Sequence, residues 1–149
     1  MIVSDLSFGG ARLDWSGLMA SHEAVIKRLS KLLESIPTPV FLINKYRQFV
    51  YANRAYLGRY SVGDGLSILG ARVGELATCP QSTASLSGCG TSAACQLCEF
   101  SLSVAKAFNE EAVANNIKIS GSISTGPGGW NISPIDFCDE RYVACISVE

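Results

Sequence analysis

The sequence predicts an α+β domain built on a five-stranded antiparallel sheet, and three observations carry that reading. Short runs rich in β-branched and aromatic residues fall into two groups, a pair in the first half of the chain and three near its end. Between the groups lie short helical stretches, a cysteine-rich segment and a longer helical pattern. Ahead of the first group runs an amphipathic stripe with heptad-like spacing. Helix, two strands, short helices, longer helix and three strands is an order that an antiparallel sheet accommodates.

Met1 to Asp14 is polar and glycine-containing, so it is expected to fray or to lie over the surface. From Ser16 to Ser35, Leu18, Val25, Leu29, Leu32 and Ile36 recur at spacings of three and four, with His22 at the remaining seam position. This helix packs on the domain's own sheet or forms a parallel two-helix dimer seam. His22 there reads as a register or solvated residue, not as a ligand. The helix stops at Pro37, and Pro39 repeats the break. Val40 to Ile43 and Phe49 to Ala52 read as strands around the polar turn Asn44 to Gln48. Asn53 is placed to cap a short helix from Arg54 to Tyr60, which Gly63-Asp64-Gly65 ends, and Gly74 to Ala77 is a further helical turn.

After the cysteine segment, Thr91 and Ser92 are N-cap candidates for a helix from about Ala93 to Ala112, with Leu97, Phe100, Val104 and Phe108 on one face. The remaining strands are Ala114 to Ser124, Trp130 to Phe137 and Tyr142 to Val148, divided by the turns Gly126 to Gly129 and Asp139-Glu140. The organisation is therefore residues 1–34 as an N-terminal segment and amphipathic helix, and residues 35–149 as the domain proper.

Composition excludes several function classes. The chain has 149 residues with 12 basic and 13 acidic side chains, and no basic cluster exceeds neighbours such as Lys27-Arg28. Nucleic acid and anionic membranes are thus poor partners. No apolar run reaches the roughly 18 residues needed to span a bilayer, and the first ten residues do not form a signal peptide, so a soluble cytoplasmic protein is expected.

The densest chemical signal is Cys79-x9-Cys89-x5-Cys95-x2-Cys98. Four thiolates complete the ligand set of one metal centre, and residues Leu76 to Leu97 carry no Lys, Arg, Asp or Glu that could hold thiolates deprotonated. Zinc and an iron–sulfur cluster both fit. Only Cys95 and Cys98 have the spacing of a zinc knuckle, so the wider gaps lean to the cluster. Disulfides, free thiols or a thiol redox pair are the alternatives. With Ser92 as N-cap, Cys95 and Cys98 would share one helix face, and Gly88 and Gly90 around Cys89 would allow close backbone approach and amides aimed at sulfur. A Cys-x2-Cys at a helix start also occurs in thioredoxin-like enzymes, but alternating strand–helix units are lacking and Cys79 and Cys89 would be unexplained. Cys138 and Cys145 read as small buried hydrophobes. Trp15, Trp130, Phe41, Phe49, Tyr51 and Phe108 read as core.

The stretch Ile36 to Asn44, followed by Val50-Tyr51-Ala52-Asn53-Arg54-Ala55-Tyr56, resembles the opening of a PAS domain. Cys79 together with Gly88-Cys89-Gly90-Thr91-Ser92-Ala93-Ala94-Cys95-Gln96-Leu97-Cys98 resembles the cysteine-rich insertion of a subgroup of bacterial PAS sensors. Two departures stand out. Asn44 and Arg47 occupy turn positions where the family has Asp and Gly, and Glu99 follows Cys98 where the subgroup has Gly. The resemblance implies a non-enzymatic sensory domain whose metal centre on Cys79, Cys89, Cys95 and Cys98 responds to redox state or oxygen. The heptad-like stripe adds the expectation of a homodimer through the N-terminal helix, and the resemblance implies histidine kinase, cyclase or response-regulator output. The final strand reaches Glu149 without the usual exit helix, which fits either an output module beyond it or signalling in trans. A structural zinc-stabilised interaction module is the alternative function, and a thiol oxidoreductase a third.

Overall fold

The computed structural model describes residues 27–60, 68–76, 79–84, 88–119, 128–137 and 139–148. Its sheet contains β1 (Val40–Ile43), β2 (Phe49–Ala52), β3 (Ala114–Ile117), β4 (Trp130–Phe137) and β5 (Glu140–Ser147), all antiparallel, in the order β2-β1-β5-β4-β3. The helices are α1 over residues 27–34, α2 (Arg54–Arg59), α3 (Val73–Leu76), α4 (Pro80–Ala84) and α5 (Glu99–Glu110), with a 3₁₀ turn at Ala93–Gln96. The predicted five-stranded α+β architecture with flanking helices is the one observed.

Every residue of β1 is buried, which an antiparallel strand achieves only when both sheet faces are covered. Alternation sends Phe41 and Ile43 to one face and Val40 and Leu42 to the other. The first face, with Phe49, Trp130, Ile132, Val143 and Cys145, packs against Tyr56 of α2, Val73 of α3 and Phe100, Val104 and Ala107 of α5. Its aromatics interlock, with Phe41 and Phe49 ring centroids 4.5 Å apart and Trp130 edge-on to Phe41 at 5.0 Å. The second face, with Val50, Tyr51, Tyr142 and Ala144, is covered by Leu33 of α1, flanked by Leu29 and Ile36.

α1 thus packs on the domain's own sheet. The buried stripe is Leu29, Leu33 and Ile36, because Leu32 is 64% exposed, so the seam predicted through Leu32 is rotated by one residue. Leu18, His22 and Val25, like Trp15, Cys138, the Gly63 to Gly65 break and the first half of the Gly126 to Gly129 turn, lie outside the described residues.

Asn53 joins the two layers. Its side-chain oxygen accepts from Tyr56 N at 3.0 Å, capping α2 as predicted, and from Val40 N at 3.0 Å. Its amide nitrogen donates to the carbonyls of Leu33, Ile36 and Thr38 at the end of α1. Glu34 adds a second tie by accepting from the Tyr51 hydroxyl at 2.7 Å and from Arg54 N at 3.2 Å.

Three expectations are corrected. The long helix from Ala93 is broken: Ser92 precedes a 3₁₀ turn, Leu97 ends it, and Cys98 in extended conformation is the N-cap of α5. Leu97 therefore points out, 87% exposed, while Phe100, Val104 and the partly buried Phe108 keep the predicted face. The cysteine-rich segment contains α4 after Cys79, a helix that the predicted element order did not include. The strand from Ala114 ends at Ile117, since Asn116 takes φ 57° and shifts the register against β4, and residues 120–127 lie outside the described set.

Candidate metal centre

All four cysteines of the segment line one cavity of about 390 Å³, whose wall includes Val73 of α3 and Phe100 of α5. They reach it from separate elements. Cys79 precedes α4, and its amide donates to Gly74 O at 2.8 Å, which anchors it to α3. Ser82 supports this corner by donating its hydroxyl to Cys79 O at 2.7 Å and to Gly74 O at 3.3 Å. Cys89 sits between Gly88 at φ 81° and Gly90 at φ 90°, left-handed conformations that favour glycine. Cys95 is buried in the 3₁₀ turn, and Cys98 caps α5.

Cys95 and Cys98 accordingly do not share one helix face. The 3₁₀ turn and the break at Leu97 hold Cys95 inward, while Cys98 approaches the same cavity from the start of the next helix. The segment's own lack of charge is also not the whole environment. The fold brings Arg47 from the β1–β2 turn to the cavity wall, and Arg72 Nη1 donates to Cys89 O at 2.9 Å.

Two residues outside the cysteine motif set this geometry. A Cβ on Gly74 would stand 2.6 Å from Cys89 Sγ and 3.4 Å from Cys79 Cβ, so the bare helix backbone of α3 lets both cysteines approach one point. Arg47 has φ 64°, a left-handed conformation that costs a non-glycine residue roughly 1–2 kcal/mol. Its guanidinium donates to the Ser101 hydroxyl on α5, and Nη1 lies 2.7 Å from where a Cβ on Gly90 would be. The turn itself is held by the Asn44 side-chain oxygen, which accepts from Tyr46 N and Gln48 N, both at 3.0 Å. The sequence signals for both were faint: a glycine inside a helical turn, and an arginine where the turn would take glycine.

The electrostatics divide the thiols. The Ser92 hydroxyl, 3.3 Å from Cys95 Sγ, holds that thiol below its ordinary range against the cost of burial, with help from the Ser92 and Gly90 amides and the Arg47 charge. Amides aimed at sulfur were expected around Gly88 and Gly90, and the Gly90 amide acts on Cys95. Burial pushes the Cys89 thiol up, and the neighbouring Cys95 and Cys79 add to the rise, opposed by the Gly74 amide and Arg47. Cys145 is a fully buried core residue in β5, its thiol pushed far up by burial alone, as a small hydrophobe should be.

The donor set suits a thiophilic metal, because four free cysteines face one part-buried space with a guanidinium beside it. Among the described residues, no three His, Cys, Asp or Glu side chains converge closely enough to hold a single ion as they stand. A single zinc ion would need four sulfurs within about 2.3 Å of one point, whereas a multinuclear cluster spans more space.

Residues 27–90 match the family model of the PAS domain. No curated protein matches the chain. Among solved structures, the fold is similar to the PAS domain of Bordetella pertussis BvgS, with 15% identity, TM-score 0.58, and 85% of this chain and 86% of that one covered. It is also similar to a sensory box sensor histidine kinase from Vibrio cholerae, with 17% identity, TM-score 0.52, and 89% and 94% covered. A third similarity is to the PAS domain of a two-component sensor histidine kinase, with 11% identity, TM-score 0.52, and 86% and 98% covered. The fold is PAS-like.

Proposed function

We propose that this PAS-like domain is the sensory input of a signal-transduction protein, with the cavity lined by Cys79, Cys89, Cys95 and Cys98 as its input site. In this reading the four thiolates hold a metal centre, an iron–sulfur cluster in preference to zinc, that responds to redox state or oxygen. The carrying observation is that four cysteines from separate elements line one cavity walled by α3, the 3₁₀ turn and the start of α5. When bound, an iron–sulfur centre supplies an electron-accepting site whose charge and integrity depend on oxidants.

The chain's own residues do the rest. Gly74 leaves room for Cys89 and Cys79, the Ser92 hydroxyl and the Gly90 amide favour a thiolate at Cys95, and Phe100 and Ile119 restrict water at the inner wall. Movement of Cys98 would act directly on α5, whose Phe100, Val104 and Ala107 pack on the sheet. β1 and β5 present their opposite residues to Leu33 of α1, so the sheet links the cavity face to the N-terminal helix. In this reading output runs through that helix, by a homodimer or a kinase, cyclase or regulator module, and the similarity to structures from sensor histidine kinases supports a kinase.

Anaerobic purification followed by iron, acid-labile sulfide and zinc analysis tests this reading. Iron with sulfide supports it. Stoichiometric zinc with no iron moves the site to a structural role.

A further inference from the structure

Arg47 occupies a backbone conformation that suits glycine, yet carries the side chain that approaches the cysteines. Three features serve this one placement. The left-handed φ of 64° turns Arg47 out of the β1–β2 turn, Gly90 lacks the Cβ that would stand 2.7 Å from Nη1, and Ser101 in the first turn of α5 accepts from the guanidinium. Arg47 lines the same cavity as Cys79, Cys89, Cys95 and Cys98. The other charged side chains lining the cavity, Lys118 and Glu99, are of opposite sign, and Arg72 donates to the Cys89 carbonyl rather than standing over the cavity.

We propose that Arg47 is the charge-compensating residue of the four-cysteine centre, its guanidinium offsetting the net negative charge that four thiolates leave on a bound metal. This rests on the metal reading above. Four thiolates bring four negative charges to the centre, and in a part-buried cavity the excess left over the bound metal's charge is costly without a nearby cation. Arg47 is a positioning and electrostatic residue beside the ligands, not a ligand. The fixed charge of a guanidinium suits this role because it does not vary over the working pH range.

The test compares wild type with Arg47→Lys, Arg47→Gln and Arg47→Gly in the full chain, purified anaerobically. The readouts are metal bound per chain, the chelator concentration that strips half of it, and the melting temperature of the stripped protein. Loss of a partner beside the ligands typically lowers metal affinity about 10- to 100-fold, so Arg47→Gln and Arg47→Gly should release metal at about tenfold less chelator. Arg47→Lys should stay within about twofold of wild type, because it keeps the charge. Stripped Arg47→Gly should melt no lower than wild type, because glycine relieves the strained φ. Wild-type retention in Arg47→Gln overturns the role of Arg47 and leaves the metal reading standing. Equal loss in Arg47→Lys and Arg47→Gln, with lowered melting in both, makes the residue structural and also overturns the proposal. A wild-type chain that holds no metal overturns both readings.

Discussion

Gly74 is the residue on which the site's geometry turns. A methyl group there would stand 2.6 Å from Cys89 Sγ, closer than real Cβ contacts come, so Gly74→Ala must displace Cys89 or deform α3. The expected cost is about 1–3 kcal/mol in denaturant unfolding, the range for overpacking, together with loss of bound metal. Cys95 offers a pH test in the metal-free protein. Its folded pKa is depressed, so it contributes stability above the ordinary thiol pKa and loses it as pH falls through the folded value. Cys89 works the other way: its raised pKa contributes stability below the ordinary thiol range, which is lost as pH rises through the folded value. A thiol-by-thiol readout separates the two. Alkylation followed by mass spectrometry should give Cys95 a lower pH midpoint than Cys89, and Ser92→Ala should move the Cys95 midpoint up towards the ordinary range. An unchanged Cys95 midpoint in Ser92→Ala would remove the hydroxyl from the account.

At the scale of elements, Asn53 and the broken helix are the informative cases. Asn53→Ala would leave the buried amides of Val40 and Tyr56 without an acceptor and remove the α2 cap, a loss of roughly 2–4 kcal/mol by chemical denaturation. Asn53→Asp keeps the acceptor but not the donor to the Leu33, Ile36 and Thr38 carbonyls, so hydrogen exchange should rise in residues 27–36 more than in α2. The break before α5 predicts a contrast. Phe100→Ala should cost about 3–5 kcal/mol, whereas Leu97→Ser, at an 87% exposed position, should stay within about 0.5 kcal/mol. Val40–Ile43, Phe49–Ala52 and Trp130–Phe137 were legible to their bounds because alternation and turn residues mark them locally. The break at Leu97 was not, because Ala93 to Glu99 contains no Pro or Gly to mark it, and the burial of Cys95 in the 3₁₀ turn is a tertiary feature.

At the scale of the molecule, the cysteine cavity and α1 lie on opposite faces of one sheet, and β1 and β5 belong to both cores. The four cysteines grouped by their spacing line one cavity, and that grouping is legible because they are close in the sequence. Arg47 and Gly74 escaped it because only tertiary folding brings them there. No helix among the described residues is long and apolar enough to cross a membrane. The central claim is that these four thiols hold a metal centre, and one assay meets it directly: iron, acid-labile sulfide and zinc per chain, with an absorption spectrum, on wild type and Cys95→Ser isolated without oxygen. Wild type should be coloured and contain iron and sulfide that Cys95→Ser loses or holds weakly. Colourless wild type, free of iron, sulfide and zinc, would contradict the claim.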